Sequence, residues 1–97
     1  MSETAIAPET APPTEAENAA MRELIEYVTK QLVEKPDEIK LREIKGAKST
    51  VFELSCAPGD MGRIIGKDGR IVKSLRTLLK AVAAKHEGYS VELEVLD

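Results

Sequence analysis

At 97 residues the chain is long enough for one domain, and 42% hydrophobic with 32% charged residues suits a compact soluble fold around a small core. Its net charge of −3 taken alone argues against a polyanionic partner, and its single cysteine, Cys56, excludes an internal disulfide. No apolar run approaches the roughly 20 residues of a membrane span, and glutamates stand where a secretion signal needs basic and then apolar residues, so a cytoplasmic location without a membrane partner is expected.

Residues 1–17 are rich in Ala, Pro, Thr and Glu, with Pro8, Pro12 and Pro13 and almost no apolar periodicity. Such a stretch cannot bury enough surface to offset its chain entropy and reads as a disordered acidic tail. It serves either as a solubilising extension or as a partner-binding or autoinhibitory arm. The folded domain is expected over 18–97.

From Asn18, a suitable helix N-cap, Met21, Leu24, Ile25, Val28 and Leu32 recur on one helical face until Pro36 ends the run. Ile39 and Leu41 then alternate with Lys40 and Arg42, and Phe52, Leu54 and Cys56 alternate with Glu53 and Ser55. Two such runs around Gly46-Ala47-Lys48-Ser49 predict an antiparallel hairpin, with Cys56 a small core residue. Pro58-Gly59-Asp60 breaks the second strand, and Asp60 is placed to cap a short helix over Met61–Ile65. After Gly66–Gly69 a longer helix carries Ile71, Val72, Leu75, Leu78, Leu79, Val82 and Ala83 as a wide apolar stripe. Gly88 is expected as its C-cap, with Lys85 and His86 in its last turn. A final strand alternates Val91, Leu93 and Val95 with Glu92 and Glu94. A strand returning after a helical crossover runs parallel to its neighbour, so the order α-β-β-α-α-β predicts an α+β domain with a mixed three-stranded sheet.

The distribution of charge reverses the impression left by its total. Residues 1–20 carry Glu3, Glu9, Glu15 and Glu17 and no basic side chain. Between 60 and 85, Arg63, Lys67, Arg70, Lys73, Arg76, Lys80 and Lys85 face only Asp60 and Asp68, a local charge of +5. Gly66-Lys67-Asp68-Gly69 lies within this stretch, between two helices. Glycines at both ends of the turn let a second chain approach the backbone with no Cβ in the way. The N–H groups that open the following helix attract phosphate, and Lys67 and Arg70 add charge at the mouth. Lys73, Arg76 and Lys80 follow along one helical face.

The run Ile65-Gly66-Lys67-Asp68-Gly69-Arg70-Ile71, with Met61-Gly62-Arg63-Ile64 before it and Val72-Lys73-Ser74-Leu75 after it, resembles the signature of KH domains. The element order is similar to the type II arrangement, and residues 20–97 resemble the small stand-alone KhpA-like bacterial proteins. The resemblance implies a type II KH fold with its helices packed on one face of the sheet. It also implies a single-stranded RNA-binding protein of low sequence selectivity, acting as an RNA chaperone or post-transcriptional regulator. Carried over to this chain, Gly66, Lys67, Asp68, Gly69, Arg70, Lys73, Arg63 and Arg76 would meet the RNA backbone. Gly62, Ile65 and Val72 would floor a groove for bases, although Ile65 and Val72 serve equally well as core residues. The family also implies a homodimer, or a heterodimer with a larger Jag-type KH protein. Asp68 departs from an ideal clamp by placing an acid inside it, tolerable if its carboxylate points to solvent.

Other classes fit less well. A Walker-type loop needs glycine where Met61 stands and Ser or Thr where Asp68 follows Lys67. No nucleophile–base pair is recognisable, so no catalytic residue, small-molecule substrate or cofactor is expected, and a lone cysteine without a histidine cluster excludes a zinc site. An RNA-recognition-motif sheet needs aromatic residues, of which the chain has only Tyr27, Phe52 and Tyr89. A KH-fold dimerisation module with weak or lost RNA binding remains the alternative.

Overall fold

The computed structural model describes residues 12–96. Helix α1 spans Glu15–Leu32 and opens on a capping box. The Thr14 hydroxyl accepts from the Glu17 amide at 3.1 Å, and the Glu17 carboxylate accepts from the Thr14 amide at 2.8 Å. Asn18 is therefore not the cap expected from the sequence. It lies one turn inside the helix and is buried. Long-range contacts hold this start in place, with Glu15 ion-paired to Lys45 at 2.8 Å, Glu17 ion-paired to Lys85, and the His86 ring hydrogen-bonded to the Glu17 carboxylate. The tail expected over 1–17 thus cedes Pro13, which is buried, and Thr14–Glu17 to the fold, and residues 1–11 lie outside the described residues.

Met21, Ile25 and Thr29 face the core along α1, with Leu24 and Val28 packed beside them. The helix ends at Leu32, before Pro36, which opens a single 3-10 turn over Pro36–Glu38. Strands β1 (Lys40–Lys45) and β2 (Ser49–Ser55) pair antiparallel, from Lys40 opposite Ser55 to Lys45 opposite Thr50. In β1 the alternation runs against hydropathy beyond Leu41, because the two-residue period is obeyed regardless of residue type. Glu43, opposite Phe52, turns under α1, where Arg22 donates to it at 2.7 Å, while Ile44 faces solvent. Cys56, just past β2, is half-buried against the core rather than fully enclosed, and burial pushes its thiol pKa up, so it stays an unreactive thiol.

A 3-10 turn over Pro58–Asp60 leads into the short helix α2 (Met61–Ile65). Asp60 does not cap α2 with its side chain. Its buried carboxylate instead accepts from the amides of Glu34 and Lys35, both at 3.1 Å, and from Arg63 at 3.1 Å. Those contacts, the Glu34 amide foremost, hold its pKa below the ordinary carboxylate value and fasten the chain after α1 to the entrance of α2.

Helix α3 spans Arg70–Ala83 and buries Val72, Leu75, Leu79 and Ala83. It stops at Ala83 rather than running to Gly88, with the Lys85 and His86 amides closing turns on the Val82 and Ala83 carbonyls while their side chains reach Glu17. His86 thus does more than finish a helix, its Nε2 lying 2.8 Å from the Glu17 carboxylate. Gly88, at φ +83°, reverses the chain into β3 (Ser90–Val95), which runs parallel to β2 with Thr50 opposite Val91 and Leu54 opposite Val95. The sheet order is β1-β2-β3, a mixed sheet whose inner face packs Phe52, Leu54, Val91 and Leu93 against Met21, Ile25, Ile64 and Leu79. This is the α-β-β-α-α-β arrangement of a KH domain, with β3 at a free edge.

Candidate nucleic-acid interface

Three of the four residues between α2 and α3 have left-handed φ. Gly66, at φ 79° and ψ 169°, occupies a region essentially open only to glycine, and a Cβ there would lie 2.7 Å from Cγ1 of Ile71. Gly69, at φ 73° and ψ 15°, is left-handed as well. Asp68 lies between them at φ 58° and ψ 24°, a conformation that Asp and Asn tolerate better than most side chains. The acid thus suits the turn, and Asp68 is exposed. Gly69 donates to the Gly66 carbonyl at 3.0 Å, closing a tight turn that leaves Lys67 exposed.

Among the described residues no side chain caps the N-terminus of α3; the Arg70 N–H donates to the Lys67 carbonyl, and the positive end of the helix faces the turn, where it favours an anion. Lys73 folds back toward the loop, its Cε 3.5 Å and its Nζ 4.0 Å from where a Cβ on Gly69 would stand. One turn further along, Arg76 donates from Nε at 3.1 Å and from Nη2 at 2.9 Å to the carbonyl of Leu93. Between these groups lies an open groove of about 220 Å³ lined by Ile65, Gly69, Val72, Lys73, Arg76 and Val95. Its floor is apolar and its rim cationic. Among the described residues no carboxylate lies within 4.0 Å of Lys67, Lys73 or Arg76.

The structure therefore gathers Gly69, Lys73, Arg76, Ile65 and Val72 around one groove, with Gly66, Lys67 and Asp68 in the turn at its end. Gly62 does not line it. An added Cβ at Gly62 would meet nothing within 4 Å, although its carbonyl accepts from Gly66 at 2.9 Å and so ends α2. Arg63 is committed to the fold, donating to Asp60, to Glu34 at 3.2 Å and to the Gly59 carbonyl at 3.2 Å. Arg70 borders a different apolar groove of about 340 Å³ between α1 and α3, with Val28, Leu32, Ile71, Ser74 and Leu78. Sequence reasoning missed Val95 and the Leu93 carbonyl. The parallel return of β3 was the available signal, since it carries that strand past α3.

The profile of the KhpA/KhpB KH-domain family matches residues 22–95, which include the turn, the groove and all three strands. The chain belongs to this family. Among KhpA/KhpB relatives, an RNA-binding protein KhpA from Chlamydia trachomatis is 44% identical over 77 residues, covering 79% of this chain and 97% of the relative. One from Borreliella burgdorferi is 53% identical over 75 residues, 77% of this chain and 90% of the relative. One from Clostridium acetobutylicum is 46% identical over 76 residues and spans that relative entirely, against 78% of this chain. None of these relatives carries the name of an enzyme. No solved structure gives a significant match.

Proposed function

We propose that this KhpA/KhpB-family chain binds single-stranded RNA with low overall sequence selectivity, clamping the backbone at Gly66–Gly69 and laying bases along the adjoining groove. The observation that carries this is the groove itself. Its apolar floor of Ile65, Val72 and Val95 runs beside a turn whose glycines have no Cβ, under cations with no carboxylate partner among the described residues. The relatives' names support RNA as the ligand. A KH loop holds about four nucleotides, so one domain with a single loop lysine makes a modest contact. Lys67, the α3 N-terminus and Lys73 are the phosphate contacts in this reading, with Arg70 at the margin. We place the activity in the cytoplasm, as an RNA chaperone or post-transcriptional regulator.

Titration of fluorescent single-stranded RNA at two salt concentrations tests the proposal. Lys67→Asp makes the loop doubly acidic and is expected to weaken binding at least about tenfold with the fold intact, while the log–log salt slope falls by about 0.7 for the lost phosphate contact. Equal binding by both proteins, or none by either, contradicts it.

A second reading, a module for pairing with another copy or with a larger Jag-type KH protein, draws on one observation. The α1–α3 groove is almost wholly apolar, and Leu78 at its rim is 50% exposed. Leu78→Asp should then turn a dimer into a monomer by light scattering without loss of helix signal. A monomeric wild type would exclude a homodimer through this face.

A further inference from the structure

The groove has two kinds of basic residue, and Arg76 is held differently from the lysines. In a parallel ladder, alternate residues turn both backbone groups to the same side. Ser90 donates to the Lys48 carbonyl at 3.0 Å and Leu96 to the Leu54 carbonyl at 2.8 Å. Ser90, Glu92, Glu94 and Leu96 therefore face β2, whereas Val91, Leu93 and Val95 direct their N–H and C=O groups to the free edge. Arg76 crosses from α3 to that edge and sits on the Leu93 carbonyl with two donors. A phosphate-seeking side chain needs freedom to follow the backbone. This one is fixed to the strand on the side where bases would lie.

The choice of nitrogens matters. A guanidinium is a rigid plane with five N–H groups. Nε and the adjacent N–H of Nη2 are engaged on Leu93, which leaves the outer fork formed by Nη1 and the second N–H of Nη2. Arg76 is an exposed residue, lines the groove beside the loop and continues into the next depression along the strand edge, so this fork remains accessible. Two parallel donors at that spacing match two adjacent acceptors. Guanine presents such a pair, O6 and N7, on its Hoogsteen edge, and an unpaired cytosine presents another, N3 and O2, whereas adenine sets an amino donor beside its N7. From this we infer that Arg76 is a specificity-determining residue that selects guanine over adenine at one position of the bound strand, within an otherwise tolerant site. The inference rests on the proposed RNA binding in this groove and assigns Arg76 to a base rather than to a phosphate.

The test uses uridine octamers carrying one central G, A or C, titrated against the full chain by fluorescence anisotropy at three salt concentrations. The wild type should prefer the G oligomer to the A oligomer by about tenfold, within the range for one bidentate base contact. Replacing the guanosine by 7-deazaguanosine, which removes N7, should erase most of that preference with the protein unchanged. Arg76→Lys keeps the charge but loses the fork. It should bring G and A within about twofold of each other, with a salt slope like that of the wild type and an unchanged circular dichroism spectrum. Lys73→Ala should weaken all oligomers alike and lower the slope by about 0.7. Equal binding of G and A oligomers by the wild type overturns the inference and leaves RNA binding standing, as does an intact preference in Arg76→Lys. In Arg76→Ala, a uniform loss for all oligomers with a slope lowered by about 0.7 and the G preference intact makes Arg76 a phosphate contact and overturns it too. Failure of the wild type to bind any oligomer overturns the RNA reading and this inference with it.

Discussion

Gly66→Ala tests whether the Gly66–Gly69 turn depends on its first glycine for backbone conformation, for space, or for both. At φ 79° and ψ 169° an alanine sits in a region costing about 1–3 kcal/mol. Its Cβ would also stand 2.7 Å from Cγ1 and 2.9 Å from Cδ1 of Ile71, distances that force a shift in a packed side chain. Overpacking of that kind costs a further 1–3 kcal/mol or so. Against these, alanine lowers the entropy of the unfolded chain by roughly 0.4–1 kcal/mol. A net loss of about 2–4 kcal/mol follows. Gly69→Ala is the internal control. Its φ of 73° costs an alanine about 1–2 kcal/mol, but the nearest atom to its Cβ is Cε of Lys73, at 3.5 Å, which is flexible and in ordinary contact. Its net loss should be about 1 kcal/mol. For a domain of this size 1 kcal/mol moves Tm by about 4–8 °C, so thermal melts should separate the two variants by about 10 °C. Combining Gly66→Ala with Ile71→Ala removes the two closest contacts, and the double variant should be about 1 kcal/mol more stable than the sum of the single losses. Equal melting of Gly66→Ala and Gly69→Ala, or strict additivity with Ile71→Ala, would refute the steric part of this reasoning.

Glu17 contributes to the acid limb of stability, its pKa held at about 2, first by Lys85 and then by the Thr14 amide. The unfolded chain takes up that proton as pH falls through about 4.5, while the folded chain resists until about 2, so this contribution is complete above about pH 4.5 and lost below it. Urea midpoints measured between about pH 2.5 and 6 should therefore fall toward acid, and Glu17→Gln should flatten the fall while leaving the slope above about pH 5 unchanged. Asp60→Ala removes the buried acceptor shared by the amides of Glu34 and Lys35 and by Arg63 and should cost about 1.5–3 kcal/mol in chemical denaturation, with Asp60→Asn milder because one carbonyl oxygen remains. Phe52→Ala, at a fully buried position under α1 and α3, should cost about 3–5 kcal/mol by the same measurement.

Periodicity carried most of the fold. The Met21–Val28 stripe, the alternation through Phe52 and Leu54, and the wide face of Val72, Leu75 and Leu79 each match one buried surface because only the hydrophobic period matters for them. What escaped depends on contacts between residues distant in sequence. Thr14 and Glu17 spell a capping box, yet a tail rich in proline and glutamate hid it, and Glu17 also reaches Lys85 and His86 just past the end of α3. Asp60 was legible as a cap, but its acceptors are taken by backbone amides about 25 residues earlier. The candidate site follows the same division. Gly66 and Gly69 stand out in the sequence because the turn needs positive φ, and Lys73 falls near them by helical spacing. Arg63 and Arg76 look equivalent to Lys73 as points in a basic stretch. Only the fold distinguishes them, by handing Arg63 to Asp60 and Glu34 and Arg76 to the edge of β3.

Amide chemical-shift mapping locates the RNA on the protein. On titration with a uridine tetramer, the largest shifts should fall on Ile65–Lys73 and on Leu93 and Val95 at the strand edge, with little change at Ile44 and Val51 on the solvent face of the sheet. Shifts centred on that face, or on Leu32 and Leu78 in the α1–α3 groove, would contradict the account.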